Sequence, residues 1–470
     1  MMILRKTLLF VIGIFCTLSL SALAWSNGLN VKDFGAKGDG ITKDTAAIQS
    51  AINAGGMVYF PAGVYLSGTL YLKSNGGLYL ENGAVLKASP DMSDYNADDF
   101  CSQNRVFEKE LVSGAHFITA VEQENICICG GGRIDGNRQA FYGTADEKIE
   151  CDRFENGHFP REELERSRRP GQMIFFCECK DVAIRDMQLY HAPYWTCFLH
   201  GCENVQLRGL RILNDQRTPN GDGIDIDCCC RVTVSDCIID TGDDCITLRG
   251  SDYALKNKRP CELITVTNCI LHTNCNGIRI GVGNGTVRNA VFSNIVFSHC
   301  RTAVGITSNY NPDPAFGVQI ENISFENLQI GAHRPFCILS QVRGATPEPA
   351  AKEIRNISFR HIRGCFKRSS YISGCAGTGI DNISFEDVEL VCHGSILKQK
   401  SDIAGPFGSW DPFQPEGMIY ISHAKNIRLN NVRISGEKEF LDLWKYAVIT
   451  YNSKNVTLKD CALPKEILQG

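Results

Sequence analysis

The sequence predicts an all-β fold, a parallel β-helix with a capping helix at its N-terminal end. A short phrase that joins a turn residue to alternating apolar positions recurs along the chain, and neighbouring copies start 23 to 34 residues apart. Few long amphipathic helices fit between the copies. Short strands with this repeat stack into parallel sheets along one axis. A β-sandwich or propeller would need hairpins roughly every 8 to 12 residues, and Asn-Gly hairpin turns are scarce.

The recurring phrase defines the interior of the predicted helix. Because strand residues alternate in direction, its apolar positions point inward and stack coil on coil. The first apolar residues of successive copies are Val182, Val205, Val232, Ile264, Val291, Ile323, Ile357 and Ile383. Several copies open with Asn-Ile-Ser or Asn-Val-Thr, which formally match glycosylation acceptors, but their place in the repeat favours a turn that starts a strand.

The N-terminus predicts secretion. Arg5 and Lys6 precede an apolar run to about Leu20, and residues 22–24 (Ala-Leu-Ala) have the form of a signal-peptidase site. We interpret residues 1–24 as a cleaved signal peptide and residues 25–470 as a single domain, secreted or periplasmic. An uncleaved membrane anchor is the alternative, although the apolar run is short for a span. Residues 44–53 have apolar side chains at helical spacing and predict the helix that covers the end of the stack.

The net charge and the cysteine spacing restrict which nucleic acids, metals and cofactors the chain can be expected to bind. The chain carries 48 basic and 52 acidic residues, so it lacks the basic surface typical of nucleic-acid binding. The 23 cysteines lack paired zinc-site spacing, and no phosphate-loop or dinucleotide motif occurs, so we expect neither metal nor cofactor. Cys127 and Cys129, like Cys177 and Cys179, share one side of a strand, and we expect both pairs to fill the core. Disulfides are possible in a secreted chain. We expect a monomer without nucleic-acid or membrane partners.

Two aspartate phrases, NGDGIDID and TGDDCITL, begin about one coil apart. One coil forward in a parallel solenoid is one strand spacing sideways, roughly 5 Å, so Asp222, Asp243 and Asp244 are predicted to converge on one outer face. For Asp225 and Asp227, and for Asp236 on the following strand, caps of turns are the better interpretation. Convergent carboxylates either bind calcium or act as acid and base on a glycosidic bond. Like charges held close keep one group protonated at neutral pH as an acid.

Longer motifs across nearly all of the predicted mature chain carry a family resemblance. They are NVKDFGAKGDGITKDTAAIQSAINAGG, VYFPAGVYLSGTLYLKS, LYLENGAVLKAS, GGGRIDG, RRPGQMIFFCECKDVAIRDMQL, HAPYWTCFLHGCENV and the two aspartate phrases. In this order and spacing the chain resembles glycoside hydrolase family 28, the polygalacturonases and their relatives. The resemblance implies a right-handed, single-stranded parallel β-helix of the pectin-lyase-like type. It also implies a glycosidase that acts on pectic or other uronate-containing polysaccharides.

The resemblance assigns roles to individual residues. Asp222 matches the aspartate of the family's Asn-Thr-Asp phrase, with Asn220 kept and Gly221 in place of threonine. Asp243 and Asp244 match its Asp-Asp pair. In that family the first of the pair donates a proton to the leaving oxygen, the other two aspartates hold water, and the anomeric carbon is inverted. Asn220 is accordingly expected to contact substrate.

Two family phrases are absent. The family's Gly-His-Gly aligns with NCNGIRIG, and its Arg-Ile-Lys, which grips a galacturonate carboxylate, aligns with TAVGITS at residues 302–308. Arg249 and Arg279 are the nearest basic replacements, and we expect them to bind an acidic sugar, although solvated arginines at a strand edge are an equal alternative. A polysaccharide lyase on the same scaffold, or a β-helix that binds carbohydrate without catalysis, also stays open.

Other residues near these motifs allow two interpretations. Tyr194 and Trp195 are expected either to stack on a sugar ring or to pack in the core. His191 and His200 are interpreted as structural histidines. The segment 401–418, rich in glycine, proline and aromatics, interrupts the repeat and is expected to form a loop on the binding face, where it could favour attack on a chain end.

Overall fold

The computed structural model describes residues 28–142, 169–309, 317–341, 352–375, 379–395 and 416–470. The predicted signal peptide and most of the loop 401–418 lie outside these ranges. The paired strands that the structure describes run parallel and wind through successive coils, so the predicted parallel β-helix is confirmed.

The first half of the stack, up to residue 250, is built from short strands. In chain order they are β1 (Leu29–Asn30), β2 (Asp39–Lys43), β3 (Met57–Phe60), β4 (Gly63–Ser67), β5 (Leu70–Tyr71), β6 (Gly76–Leu80), β7 (Ala84–Ala88), β8 (Ile118–Val121), β9 (Glu124–Gly130), β10 (Arg133–Asp135), β11 (Ile174–Cys177), β12 (Lys180–Arg185), β13 (Gln188–Tyr190), β14 (Cys197–His200), β15 (Glu203–Arg208), β16 (Arg211–Leu213), β17 (Ile224–Asp227), β18 (Cys230–Ser235), β19 (Ile238–Thr241) and β20 (Ile246–Gly250).

Later coils contain longer continuous strands. They are β21 (Cys261–Gly283), β22 (Thr286–Asn309), β23 (Gln319–Gln341), β24 (Ile354–Phe366), β25 (Ser370–Ser373), β26 (Ile380–Cys392), β27 (Gly417–Ser422), β28 (Ala424–Gly436), β29 (Tyr446–Tyr451), β30 (Lys454–Lys459) and β31 (Ile467–Gln469). The helices are α1 (Thr45–Ala54) and α2 (Lys438–Leu441), with 3-10 turns at Val31–Phe34, Met92–Asp94, Glu108–Glu110, Arg138–Ala140 and Asp252–Ala254. In the described ranges, neither helix is long and apolar enough to cross a membrane.

Each coil contributes strands to three faces. What we call the third face contains β4, β7, β10, β13, β16 and β19 and continues through the middle of β21 to β24 and of β26. What we call the first face contains β5, β8, β11, β14, β17 and β20, continues through the ends of β21, β22 and β23, and finishes with β25, β27, β29 and β31. Neighbouring strands are hydrogen-bonded along the axis, so residues at equivalent positions of successive coils form rows. This row geometry positions the site.

The interior is one continuous apolar core. Val182, Val205, Val232 and Ile264 lie in register and are buried, as the repeat predicts. The prediction for Val291 was wrong by one residue, because Ala290 pairs with Ile264 while Val291 is 42% exposed.

Aromatic stacking adds to this core in the later coils. The rings of Phe292, Phe325, Phe359 and Phe385 stack coil on coil, with successive centroids 4.8, 4.7 and 4.8 Å apart. The outward neighbours of these residues are largely exposed, so the alternation of the repeat separates core from surface.

The cysteine prediction was only partly right. Ile126 and Ile128 occupy the interior side of β9, so Cys127 and Cys129 point outward, away from the main core. Cys179 is in the main core, whereas Cys177 packs into an outer aromatic cluster. The 21 cysteines in the described ranges form no disulfide with one another.

Helix α1 closes the N-terminal end, as predicted. It buries Ile48, Ala51 and Ile52 against the first coils. The Gln49 side chain accepts from the Tyr71 backbone N–H at 2.9 Å and donates to its carbonyl at 3.0 Å. This amide therefore replaces a strand partner at the free edge of β5 and satisfies backbone groups that would otherwise be unpaired.

The Asn-Ile-Ser motifs start strands, as interpreted from sequence. Asn322, Asn356 and Asn382 adopt left-handed φ values of 58, 57 and 55°. Their side-chain amides form a ladder, with Asn356 donating to Asn322 at 2.9 Å and Asn382 donating to Asn356 at 2.8 Å. The left-handed conformation, which asparagine tolerates, turns the chain into the next face.

Candidate active site

Three of the predicted aspartates come together just before strands of the first face. Cys245 donates its N–H to the Asn276 carbonyl at 3.0 Å, and Gly223 donates to the Asp244 carbonyl at 2.9 Å. Asp222, Asp244 and Asn276 therefore occupy one row on three successive coils, with Asp243 beside Asp244. The three aspartates are at most 6% exposed. We call Asp222, Asp243 and Asp244 the carboxylate trio.

Asp244 is held by donors from the next coil. Its Oδ1 accepts from the Asn276 backbone N–H at 3.1 Å and from Asn276 Nδ2 at 2.6 Å. Its Oδ2 accepts from Arg279 Nη1 at 3.0 Å. Asn276, within the stretch that replaces the family's Gly-His-Gly, and Arg279 both lie on β21. They fix the orientation of this carboxylate.

Asp222 has a different environment. Its Oδ1 atom is buried and has no hydrogen-bond partner among the described residues. Burial, reinforced by the charges of Asp225, Asp243 and Asp244, raises the pKa of Asp222 well above its usual range. Closely spaced carboxylates share protons, so the site retains a proton at a pH where an exposed aspartate would have lost it.

A fourth carboxylate, Asp225, belongs to the site. It lies on β17, faces outward and accepts from Thr247 Oγ1 at 2.6 Å and Arg249 Nη1 at 3.1 Å. Burial raises the pKa of Asp225 to about 6, against the lowering effect of Arg249 and Thr247. The turn-capping interpretation was wrong for Asp225 and Asp227, because both are buried residues of a strand.

Asp236 fits the turn interpretation. It has a left-handed φ of 59° and accepts from the Asn268 side chain at 3.2 Å. It lies on the surface of the stack, away from the first face. Asp236 therefore offers an exposed aspartate for comparison with the trio.

Asp227 and His200 form a buried pair beside the site. His200 Nδ1 is 3.4 Å from Asp227 Oδ2, and Ser251 donates its N–H to Asp227 at 2.7 Å. Burial acts to raise the pKa of Asp227, but His200, with Arg249 and Arg105, outweighs it and lowers that pKa. His200 is thus structural, as interpreted.

His191 is also accounted for by a structural contact. Its Nδ1 atom lies 3.1 Å from Asp135 on the third face. This contact is remote from the first-face row that carries the trio.

We use groove for the outer surface of the first face along the row of Asp222, Asp244 and Asn276. This surface is covered on the N-terminal side of the trio. Trp195 precedes Asp222 in the row and is buried beneath Phe107, at a ring distance of 5.6 Å. Arg105 covers His200, the last residue of β14. Its Nη2 atom lies 3.3 Å from both His200 Nε2 and the Ser251 carbonyl. A segment at residues 98–112 therefore blocks the row that a bound polymer would otherwise follow.

The two aromatic residues of the motif HAPYW are part of this closure. Tyr194 stacks on Trp195 at 5.0 Å, and its hydroxyl donates to Glu110 at 2.6 Å. The interpretation of packed aromatics is the correct one for both. The Arg249 guanidinium lies 4.3 Å from the Trp195 ring centroid, so the closed end of the groove is formed by a cation on an aromatic ring.

The structure identifies a basic residue that the sequence interpretation missed. Arg301 immediately precedes the stretch that replaces Arg-Ile-Lys, and its Nη2 atom is 2.8 Å from Cys275 Sγ. The ligand atoms of Cys275, Asp243 and Asp244 lie within 4.8 Å of one another. Arg301 therefore reaches the edge of the trio. Cys275 and Arg301 occupy the register position of Asp243 one and two coils later, and this register is the signal that could have identified them.

The same three ligand atoms are the one described group of histidine, cysteine and acidic side chains spaced to hold a metal ion. The guanidinium of Arg279 contacts Asp244, and that of Arg301 contacts Cys275. Two fixed positive charges at these ligands oppose the binding of a cation.

Asn220 lies at the turn that leads into Asp222. It adopts a left-handed φ of 52° and is half-buried. The preceding carbonyl, that of Pro219, accepts from buried Arg169 at 2.8 Å, which anchors the turn. The structure thus places Asn220 two residues from the trio.

Sequence comparisons agree with this geometry. The model of "Glycosyl hydrolases family 28" matches residues 100–405, and that of "Rhamnogalacturonase A/epimerase, pectate lyase-like" matches residues 28–128. A probable polygalacturonase of Vitis vinifera is 28% identical over 51% of this chain, which corresponds to 48% of its own length. An exo-poly-alpha-D-galacturonosidase of Dickeya chrysanthemi is 26% identical over 66% of this chain and 57% of its own length. The match to the grape protein thus spans about half of that relative.

Solved structures share the fold. The family 28 exopolygalacturonase of Yersinia enterocolitica superposes with a TM-score of 0.68 at 20% identity, covering 91% of this chain and 78% of that one. The exopolygalacturonase of Thermotoga maritima gives a TM-score of 0.61 at 24% identity, covering 77% and 86%. With a family model matched over most of its length, this chain belongs to glycosyl hydrolase family 28.

Proposed function

We propose that this chain is a secreted inverting glycosidase that hydrolyses uronate-containing pectic polysaccharides. The observation that carries the proposal is the convergence of Asp222, Asp243 and Asp244 on two successive coils, buried and beside a fourth carboxylate. Arg249 contacts Asp225 and Arg279 contacts Asp244. Burial and the neighbouring carboxylates raise the pKa of Asp222, which favours the retention of a proton. A shared proton among fixed carboxylates is the requirement for acid and base chemistry.

In the proposed mechanism Asp243 is the acid. It donates its proton to the glycosidic oxygen as the bond to the anomeric carbon breaks. A water oriented by Asp222 and Asp244 attacks the opposite side of that carbon, and Asp222 takes the water's proton. Because closely spaced carboxylates share protons, these roles require the retained proton to lie on Asp243 and Asp222 to be ionised when the substrate is bound. Inversion requires acid and base roughly 6.5 to 9.5 Å apart, with the water between them.

The substrate class rests on the relatives and on the positive charge in the groove. The relatives' names describe action on polygalacturonate. Arg249 and Arg279 lie in the groove, each with its side chain partly accessible. Asn220 at the preceding turn completes the proposed substrate contacts.

The closed end of the groove supports attack on chain ends. A polymer cannot continue over Trp195 and His200, which are buried under residues 98–112. A terminal sugar would therefore lie against Arg249 at the end of the groove, and the rest of the chain would extend over the later coils. Two structural neighbours and one relative are named as exo-acting enzymes.

The test is digestion of de-esterified homogalacturonan and, separately, of rhamnogalacturonan. We expect reducing ends to appear with inverted anomeric configuration by NMR, and small products to accumulate before viscosity falls. An ultraviolet-absorbing unsaturated product that disappears with chelator would indicate a lyase instead. Binding without any release of reducing ends, on every pectic fragment tried, would indicate a non-catalytic carbohydrate-binding β-helix.

A further inference from the structure

A turn leads into Asp222, and we call residues 215–221 the Asp222 turn. The Thr218 backbone N–H donates to the Asp215 carbonyl at 2.9 Å, which closes the first part of this turn. Buried Arg138 contacts both of these residues. Its Nε atom donates to Thr218 Oγ1, and its Nη1 atom lies 3.4 Å from Asp215 Oδ2. The start of the turn is therefore held by a guanidinium.

A second buried arginine, Arg169, holds the end of the Asp222 turn. Its Nη1 atom donates to the Pro219 carbonyl at 2.8 Å and to the Pro193 carbonyl at 2.7 Å, and it also contacts the Tyr142 hydroxyl. Pro193 lies in the corresponding turn of the preceding coil. One nitrogen atom thus joins the turns of two successive coils.

The backbone of Arg169 is fixed independently of its side chain. Its N–H donates to the Leu111 carbonyl at 3.1 Å, and its carbonyl accepts from the Ser113 N–H at 3.0 Å. Both partners lie at the end of the segment that covers the groove. Burial of a guanidinium costs free energy unless hydrogen bonds compensate for the lost water. A donor that is fixed at its backbone and bound at its guanidinium restrains the turns that it contacts.

The other side of the turn packs against Gly242, the residue before Asp243. A Cβ atom at Gly242 would lie 2.6 Å from the Thr218 carbonyl oxygen and 2.9 Å from that of Asp215, so the two backbones are in close contact. The turn is thus bound to the preceding coil through an arginine and packed against the following coil at a glycine. Its position sets the separation of Asp222 from Asp243.

We infer that Arg169 is a positioning residue that fixes Asp222 relative to Asp243, with Arg138 holding the start of the same turn. This inference rests on the proposed function. An inverting glycosidase needs its acid and its base at a defined separation, with a water between them. Misplacement of a reacting group by about 1 Å can cost roughly 100-fold in rate. Arg169 acts through the carbonyl of Pro219, three residues before Asp222.

The test compares Arg169→Met and Arg169→Lys with wild type on oligogalacturonate. Methionine is a long side chain without a donor, so we expect kcat to fall by roughly 30- to 100-fold while KM changes by less than about threefold. Arg169→Lys should recover part of the loss, because a single nitrogen atom reaches both the Pro219 and the Pro193 carbonyl. Phe359→Leu is the control, since it weakens the core in a later coil and should lower the melting temperature without loss of kcat.

A second variant keeps the inference falsifiable if Arg169→Met does not fold. Thr218→Val preserves the shape of the side chain and removes the hydroxyl that accepts from Arg138 Nε, so kcat should fall by roughly tenfold with little change in KM. Hydrogen exchange followed by mass spectrometry reports on the turn directly. In both variants residues 214–223 should exchange at least about tenfold faster than in wild type, while the strands of the third face exchange at the wild-type rate.

The two measurements separate this inference from the proposed function. Faster exchange in the Asp222 turn together with a fall in kcat supports the positioning role. Unchanged exchange, or faster exchange with kcat unchanged, overturns that role and leaves the proposed function intact. If wild type hydrolyses no pectic substrate, the proposed function fails, and the exchange rates decide whether Arg169 holds the turn.

Discussion

Arg279 and Asp244 lie on neighbouring coils, and Arg279 Nη1 is 3.0 Å from Asp244 Oδ2. Asn276, three residues before Arg279 on the same strand, holds the other oxygen of that carboxylate. One strand of the next coil thus fixes both oxygens of a trio member. The asparagine supplies two donors from the stretch that replaces the family's Gly-His-Gly.

Removal of Arg279 should therefore disturb the chemistry more than the binding. In Arg279→Gln we expect kcat to fall by roughly 100-fold, because a misplaced carboxylate no longer orients the water, while KM changes less. Steady-state kinetics on oligogalacturonate measure both constants. Arg288→Gln, at a surface pair with Glu262, is the control. A rise in KM with kcat unchanged would show that Arg279 serves substrate binding alone.

Asp243→Asn should abolish turnover with the fold intact, since asparagine cannot donate the proton that the leaving oxygen requires. Release of reducing ends measures activity, and circular dichroism and thermal unfolding measure the fold. Asp236→Asn alters an exposed turn residue and should retain full activity. Substantial activity in Asp243→Asn would refute the assignment of the acid.

Asp222→Asn should stabilise the protein at high pH. The folded pKa of Asp222 is raised above its unfolded value, so the folded state keeps a proton that the unfolded state releases, and stability falls as pH rises from about 4 through the folded pKa. Asparagine does not ionise and avoids this loss. The melting temperature of the variant should thus equal that of wild type near pH 4 and exceed it at pH 8. A gap that is the same at both pH values would contradict the predicted titration.

Phe359→Ala should destabilise the stack by roughly 3 to 5 kcal/mol, because it leaves a cavity between Phe325 and Phe385. Denaturant unfolding measures the change, and Phe359→Leu should lose less. Val291→Ala, at an exposed position of a nearby strand, should change stability by less than about 0.5 kcal/mol. Equal effects at positions 359 and 291 would refute the assignment of interior and surface.

Reducing agent should not change the melting temperature, since the described cysteines form no disulfide with one another. Alkylation of the denatured, unreduced protein should label at least 21 cysteines by mass spectrometry. Fewer labels, together with a lower melting temperature after reduction, would reveal a disulfide among them.

The repeat was predictable because its causes are local. Val182, Val205 and Val232 carry the interior pattern, and each coil repeats the turn residue before it. The convergence of Asp222 and Asp244 followed from a coil length that the two phrases display directly. The prediction failed at Val291 because Ala290 and Val291 are both apolar, and Ala290 takes the interior position. A shift of one residue exchanges interior for surface.

The parts of the site that the sequence did not predict depend on segments that are distant along the chain. Asp225 is buried within the groove and bound to Arg249 of the next coil, while the nearby aromatics lie under residues 98–112, which are remote in sequence. Arg301 required the register of a later coil to be known. Alternation within a single phrase cannot show which outward residue is covered by another part of the chain.

The position of the carboxylate trio within the stack also protects it. Four strands precede β17 on the first face, and the coils of β22 to β31 follow the coil that holds Asp244. In a solenoid each coil contacts only its two neighbouring coils. Local unfolding therefore starts at an end and proceeds coil by coil. Partial melting at either end must consume several coils before it reaches the reacting groups. Hydrolytic activity should therefore persist after the first loss of ordered structure during heating.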